Sequence, residues 1–243
     1  MNKRRRKMRL KRIEMSCDQC AVNGLSMFNH LCGSSIEGLE KNKSCTLYKK
    51  NQVVFHEGTR PLGIFCINAG KVKVYKTGAE GKDQIIQILS PGDMMGYRSM
   101  LSEEPYPVSA ETLEDTSICF IPKSDFLEVL KVDSELTNRI LKSMSKELGA
   151  MADSITTLAQ KPVRERLAGA LLMLKDTYGM DAHDNGEVEI NLTREDLANI
   201  VGTATETLIR LLHDFKEEKL IQTQGRKIRV LDSQKLMRVA NLY

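Results

Sequence analysis

The stretch from Leu192 to Leu231 constrains the fold more than any other part of the chain. Thr193 is a residue type that caps helix N-termini, and apolar residues follow it at helical spacing. Gly202 suits a tight turn, and a second set of apolar residues recurs at helical spacing after it. That set comprises Leu208, Leu211, Leu212 and Phe215. The pattern predicts a helix-turn-helix, with Thr203 and Thr205 as candidate caps of the second helix.

A short basic hairpin is predicted directly after the second helix. Residues 224–226 have the composition of a turn, and Ile228 and Val230 alternate with polar residues beyond it. Two helices followed by such a wing are typical of proteins that place the second helix in the major groove of DNA. The wing carries three basic residues that can meet DNA phosphates, namely Arg226, Lys227 and Arg229.

The solvent side of the second helix has side chains suited to base edges. Glu206 and Arg210 are four residues apart and therefore project from one face. Arginine can bond guanine and glutamate can accept from cytosine, so this pair favours a half-site that contains G·C. Thr203 and Thr205, at the start of the helix, complete the predicted DNA-binding set. An ordinary helical hairpin with a solvated charged face is the alternative structure.

Several motifs of the chain resemble one known family. They are VGTATETLIRLL with the following KIRV, the PGDMMG turn at Pro91–Gly96, and ETLEDTSICFIPKSDF at Glu111–Phe126. Their sequence and order are similar to those of the CRP/FNR superfamily of bacterial transcription regulators, from about Leu47 to the C-terminus. The resemblance implies that Glu206 and Arg210 contact bases in double-stranded DNA, and that the protein contacts RNA polymerase.

Between Leu47 and Phe126 the pattern changes to short strands separated by turn residues. Segments such as 71–74 and 84–88 alternate apolar and polar residues, which is typical of strands with one buried face. They predict a small antiparallel β-roll with space for an effector, which the resemblance identifies as a cyclic-nucleotide-binding-like jelly roll. The predicted fold class is therefore α+β, with the β-roll first, a long dimerisation helix next and a winged helix-turn-helix at the C-terminus.

The resemblance places an effector pocket at Gly96, Tyr97, Arg98 and Ser109. Family members that bind cyclic nucleotides use a Gly-Glu-Leu motif and an Arg-Ser motif for the ribose and the cyclic phosphate. This chain has Gly96-Tyr97-Arg98 and Val108-Ser109 instead. A buried anionic nucleotide would lack charge pairing there, at a cost of several kcal/mol. We therefore expect an effector other than cyclic AMP.

A heptad seam follows the β-roll. Its six apolar residues, separated by alternating gaps of three and four, are Leu141, Met144, Leu148, Met151, Ile155 and Leu158. This spacing favours a parallel coiled coil between two subunits, although a helix packed on its own β-roll is the alternative. In a two-fold dimer the second helix of each helix-turn-helix, called the reader helix below, lies about one DNA turn from its partner. We therefore expect an inverted-repeat operator.

Four segments are predicted along the chain. They are a basic, cysteine-containing arm at residues 1–32, the β-roll at 33–133, the dimerisation helix at 134–160 and the winged helix-turn-helix at 161–243. Pro162 marks the junction between the last two, because proline favours the start of a helix.

The six cysteines are the most concrete clue to a signal. No apolar export segment follows the basic N-terminus, so we expect a cytoplasmic, reducing location in which disulfides are improbable. Thiolates at short spacing, as in Cys17 and Cys20, bind zinc or iron–sulfur clusters. The oxygen-responsive branch of the family holds a 4Fe–4S cluster on N-terminal cysteines and one distant cysteine, a position that Cys119 matches. The resemblance therefore implies a cluster on Cys17, Cys20, Cys32 and Cys119, with Cys45 as the alternative third ligand.

Zinc, a thiol redox switch and the absence of any site remain open alternatives to the cluster. Cys66 lies in an apolar strand segment, and there we expect a simple buried hydrophobic residue.

Other classes of function are less consistent with the chain. We find no HExxH, GxSxG, GxGxxG or P-loop pattern, so we do not expect an enzyme. No apolar run approaches the length of a membrane span, and we expect a soluble protein with no membrane partner. A dimeric effector-binding module without DNA binding would explain the heptads and the β-roll, but it leaves Glu206, Arg210 and the basic wing without a role.

Overall fold

The computed structural model describes residues 11–13, 15–17, 20, 22–179 and 188–242. Part of the predicted N-terminal arm, including residues 1–10, therefore lies outside the described residues. The chain divides into two compact units, Met1–Lys76 with Gln87–Ser143, and Thr77–Ile86 with Met144–Tyr243. The hairpin tip at Thr77–Ile86 is thus grouped with the C-terminal half of the chain.

The described part of the N-terminal half contains nine strands. In chain order they are β1 (Lys11–Ile13), β2 (Ser44–Tyr48), β3 (Val53–Phe55), β4 (Gly63–Ala69), β5 (Val72–Thr77), β6 (Asp83–Leu89), β7 (Met94–Met95), β8 (Ser109–Thr112) and β9 (Thr116–Pro122). Helices α1 (Ser34–Glu40), α2 (Tyr97–Ser102) and α3 (Lys123–Val132) flank them, and a short 3₁₀ turn covers Asn23–Leu25.

These strands form two antiparallel sheets, with orders β1-β2-β9-β4-β7 and β3-β8-β5-β6. A cluster of apolar side chains fills the space between the sheets, as their alternation along each strand predicts. Its central members include Phe55, Ile67, Val74, Tyr106 and Ile118. The predicted β-roll is confirmed.

The long helix α4 runs from Ser134 to Gln160. Its first two turns pack against the N-terminal unit through Leu136 and Ile140, which are fully or nearly fully buried. Most of the apolar residues farther along the helix are exposed in the single chain.

The C-terminal half begins with α5 (Val163–Gly179). After it come β10 (Glu189–Asn191), α6 (Arg194–Val201), α7 (Thr205–Glu217), β11 (Ile221–Gln224), β12 (Lys227–Val230) and α8 (Ser233–Val239). The three strands pair antiparallel in the order β10-β12-β11. None of the helices within the described ranges is long and apolar enough to cross a membrane.

Candidate DNA-binding surface and cysteine cavity

The turn between α6 and α7 has the predicted local geometry. The Thr193 hydroxyl accepts a hydrogen bond from the Asp196 amide at 2.9 Å and caps α6. Gly202 ends α6 with φ 70°, a left-handed conformation that glycine adopts without a side-chain clash. The cap of α7 was predicted incorrectly: the N-cap is Ala204, whose backbone is extended, and neither Thr203 nor Thr205 holds that position.

Helix α7 has one buried apolar face and one exposed face, as predicted for a helix that contacts DNA bases. Leu208, Leu212 and Phe215 are buried against the domain core, which fixes the orientation of the helix. Glu206 and Arg210 are exposed on the other side, and Thr203 and Thr205 are half-buried beside them. Ile209, between the two charged residues, keeps 52% of its surface exposed, so the reader face also offers an apolar contact.

An acidic residue on the strand beside the wing pairs with two of its basic residues. Glu189 lies on β10 directly opposite Arg229 on β12, and its carboxylate contacts Lys227 Nζ at 2.6 Å and Arg229 Nη2 at 3.3 Å. The Lys227 hydrogen bond, with help from Arg229, holds the pKa of Glu189 below its ordinary value. Two of the three predicted phosphate contacts are therefore paired inside the protein, whereas Arg226 is exposed at the turn.

Two arginines tie the reader motif to its surroundings. Arg194 Nη2 donates to the Gly225 carbonyl at 2.9 Å and so links the start of α6 to the turn of the wing. Arg166, on α5, donates from Nη1 to the Leu158 carbonyl at 2.9 Å and from Nη2 to the Gly202 carbonyl at 3.1 Å. The end of α4 and the turn of the helix-turn-helix are thus held by one guanidinium group.

The predicted dimer seam is an apolar stripe on α4. In the single chain Leu148 and Ile155 are 71% and 69% exposed, and Leu141 and Leu158 are 57% and 41% exposed. Met144 and Met151, between them, are of intermediate exposure. Such a regular exposed stripe is typical of a helix that pairs with another helix.

The four predicted effector residues lie at the start of α2 and on β8. Gly96 adopts φ 86° at the start of α2, Tyr97 is buried and Arg98 is half-buried. The buried Ser109 hydroxyl accepts from the Glu57 amide at 3.0 Å. Phe55 and Tyr106 stack with their ring centres 4.0 Å apart, and burial raises the pKa of Tyr106 to about 12. Gly96 lies beside Tyr106, whose side chain belongs to the apolar cluster between the sheets.

The cysteines differ most from the sequence predictions. Cys45 and Cys119 form a disulfide, although we expected none. The expectation was wrong because it rested on the compartment alone, whereas the antiparallel register places these two residues directly opposite each other on β2 and β9. Cys66 was expected to be an inert core residue, but it is of intermediate exposure and lines a cavity.

That cavity lies between the N-terminal segment and the five-stranded sheet. Its lining includes Cys17, Cys20, Cys66, Cys119 and Lys43. Lys43 Nζ donates to Cys17 Sγ at 2.9 Å, and Cys20 Sγ donates to Asn68 Oδ1 at 3.0 Å. Burial raises the pKa of the Cys17 thiol despite the Lys43 ammonium beside it. We refer to this feature below as the cysteine cavity.

The predicted cluster ligands do not fit a 4Fe–4S cluster in this structure. Cys119 is bonded to Cys45, and Cys32 is exposed and does not line the cysteine cavity. Within the part of the chain that the structure describes, no three His, Cys, Asp or Glu side chains converge as metal ligands. Cys17, Cys20 and Cys119 line one cavity. Neither proposed third ligand is available there, because Cys32 lies outside the cavity and Cys45 is in the disulfide.

Two residues that shape these sites, Glu189 and Lys43, were not predicted, and Cys66 was assigned to the core alone. Each acts on a partner through strand pairing or tertiary packing. Glu189 is 38 residues before Lys227, and only the β10–β12 register brings them together. The signal in the sequence was the alternation along the two strands, which indicates that each is a strand but not which strands pair.

The chain matches known proteins along most of its length. Family models for a cyclic nucleotide-binding domain and a Crp-like helix-turn-helix domain match residues 46–133 and 165–239. The transcriptional activator protein FnrA of Stutzerimonas stutzeri is 26% identical over 218 residues, covering 89% of each chain. The anaerobic regulatory protein of Haemophilus influenzae is 28% identical over 220 residues, covering 89% of this chain and 84% of that one. The structure of FixK2 from Bradyrhizobium japonicum has a TM-score of 0.71 at 23% identity, covering 81% and 96%.

The fold, the exposed face of α7 and these matches define a class: the protein is a DNA-binding transcription regulator. The chain belongs to the CRP/FNR superfamily, as its motifs predicted. The α+β fold class is confirmed with it.

Proposed function

We propose that the protein acts as a homodimer on an inverted repeat, with Glu206 and Arg210 reading bases in the major groove. The observation that carries this proposal is the division of α7 into a buried apolar face and an exposed face with both residues on it. The buried face holds the helix rigidly, which is what base recognition at hydrogen-bond distances requires. Thr203 and Thr205 lie at the N-terminal end of the helix, where the groove is entered.

Contacts with the DNA backbone come from the wing. Arg226 is exposed and needs no rearrangement to reach a phosphate. Lys227 and Arg229 must exchange part of their interaction with Glu189 for a phosphate, so their contribution is weaker than their charge suggests. Specificity therefore rests on α7, and the wing supports its position.

The apolar stripe of α4 supports the dimer. Two copies that pair along Leu141, Met144, Leu148, Met151, Ile155 and Leu158 would remove this stripe from water. A two-fold axis along α4 places the two reader helices on successive turns of one face of the DNA. Contact with RNA polymerase, which the family resemblance implies, would follow from binding beside a promoter.

The test is selection of DNA from a duplex library with a random central segment, followed by sequencing of the bound fraction. The wild type should enrich an inverted repeat with G·C in each half-site. Arg210→Ala should lose one preferred guanine per half-site, at about 1–3 kcal/mol of discrimination. Arg238→Ala, which removes the same charge from the exposed face of α8, is the matched control and should retain the wild-type motif. An unchanged motif in Arg210→Ala would refute the assigned reader face.

The signal is received in the N-terminal half, either at the aromatic interior of the β-roll or at the cysteine cavity. The cysteine cavity is favoured because free thiols and a disulfide meet in it. Iron and sulfide analysis of anaerobically purified protein tests the iron–sulfur alternative. If the protein binds iron, and the iron content per protomer is lower in Cys32→Ser than in the wild type, the predicted ligand set is supported.

A further inference from the structure

Three cysteines lie in one row across the five-stranded sheet. Cys119 on the central strand β9 is directly opposite Cys45 on β2 and, on its other side, directly opposite Cys66 on β4. Residues that are directly opposite in antiparallel strands share a face of the sheet. The three side chains therefore emerge on the same face, with Cys119 in the middle.

The spacing of such a row suits disulfide formation on either side. Directly opposite residues have Cβ atoms about 4.5–5.5 Å apart, and a disulfide joins Cβ atoms about 3.5–4.5 Å apart, so a bond on either side requires an approach of about 1 Å between the strands. Cys45 and Cys119 are bonded, and Cys66 is a free thiol. Cys119 is thus one sulfur with a cysteine on either side of it, and in this structure it is bonded to Cys45.

The cysteine cavity gives access to this row. Cys45 is only 3% exposed and Cys119 7%, whereas Cys66 is more exposed, and the cavity is lined by both Cys66 and Cys119. A thiol or disulfide reagent entering the cavity therefore meets the free thiol of the row and the shared sulfur together.

We propose that Cys119 is a thiol–disulfide exchange site with two alternative partners, Cys45 and Cys66, and that its co-reactants are dithiols and low-molecular-weight disulfides. In the internal step the Cys66 thiolate attacks Cys119 Sγ, the Cys45–Cys119 bond breaks, and Cys45 leaves as a thiolate that takes up the proton Cys66 released. No electrons leave the protein in this step.

The external steps conserve electrons as well. A dithiol reduces the Cys45–Cys119 bond to two thiols and becomes a disulfide itself. A low-molecular-weight disulfide, reduced to two thiols, restores one of the two protein bonds. Desolvation raises the pKa of the Cys66 thiol, which lowers its thiolate fraction at neutral pH and slows the internal exchange. The β-roll is then locked between β2 and β9, locked between β4 and β9, or open.

The test is a map of disulfides in the folded full-length protein. The protein is reduced with dithiothreitol, reoxidised with glutathione disulfide, blocked with N-ethylmaleimide in denaturant, digested without reductant and analysed by mass spectrometry. We expect Cys45–Cys119 and Cys66–Cys119 as alternative bonds of Cys119. A predominant bond from Cys119 to Cys17, Cys20 or Cys32, or no Cys119 disulfide at all, would overturn the proposal.

Variants isolate the two partners. Cys45→Ser should convert the mapped bond to Cys66–Cys119, and Cys66→Ser should leave only Cys45–Cys119. Cys32→Ser, which removes an exposed thiol outside the row, is the control and should map like the wild type. Because Cys45 is buried, Cys45→Ala serves as a second variant if Cys45→Ser unfolds. The readout is the set of mapped disulfides, so the test of this proposal does not depend on whether the protein binds DNA.

Discussion

Substitution of Glu189 by glutamine changes the charge that the wing presents to DNA. In the wild type its carboxylate holds Lys227 at 2.6 Å and Arg229 at 3.3 Å. Glutamine keeps the shape of the side chain but has no charge to hold them. Two cations in each protomer, and four in a dimer, are then released toward the phosphates.

The magnitude follows from counterion release. Each phosphate neutralised steepens the dependence of log K on log salt concentration by about 0.9. Four released cations therefore steepen the slope by at most about 3.6, which over a fourfold change in salt is about a hundredfold in affinity. Glu189→Gln should bind DNA more tightly than the wild type at low salt and lose that advantage as salt rises.

The assay is fluorescence anisotropy of a labelled duplex, titrated with protein at several salt concentrations. Glu218→Gln is the matched control, since Glu218 pairs with Arg164 at 2.7 Å away from the wing. Its slope should equal that of the wild type. A slope for Glu189→Gln that also equals that of the wild type would refute the assignment of Lys227 and Arg229 to the DNA backbone.

Three further outcomes are expected. Arg166→Ala should lower the free energy of unfolding by about 1–3 kcal/mol in urea titrations, because its two carbonyl partners lose a charged donor, and Arg166→Lys should recover only part of it. Ile155→Ala should remove about 2 kcal/mol of the free energy of burial per side chain, or about 4 kcal/mol per dimer, and so raise the dimer Kd about a thousandfold in sedimentation equilibrium. Lys142→Ala on the same helix should leave the dimer Kd unchanged. The pKa of the Glu189 carboxyl lies below its ordinary value of 4.5. Its ion pairs therefore stabilise the protein fully above about pH 4.5, and this stabilisation is lost as the pH falls through the lowered pKa. The difference in Tm between the wild type and Glu189→Gln should therefore be constant from about pH 7 to 5 and shrink below about 4.5; a difference that grows with acid would contradict the pairing.

Local patterns predicted the reader motif well because the forces that form it are local. The Thr193 cap, the left-handed Gly202 and the apolar face of α7 each depend on residues within a few positions of one another. The cap of α7 was misplaced by one residue because the threonines on either side of Ala204 are equally suitable by type. Backbone conformation decides between them, and residue type alone does not report it.

Long-range pairing was the part that sequence could not supply. The Cys45–Cys119 bond spans 74 residues, and it depends on the register between β2 and β9. A shift of one residue would place the two thiols on opposite faces of the sheet. The same holds for Glu189, whose two partners are set by the register of β10 on β12.

Footprinting on a selected duplex tests the central claim most directly, because it reports the dimer and the reader helix together. Hydroxyl-radical cleavage of a duplex saturated with the full-length protein should show two symmetric protected segments, centred about 10–10.5 base pairs apart, with one dimer per duplex. A single protected segment with one protomer bound, or uniform protection without a repeat, would contradict the proposal that paired α7 helices read an inverted repeat.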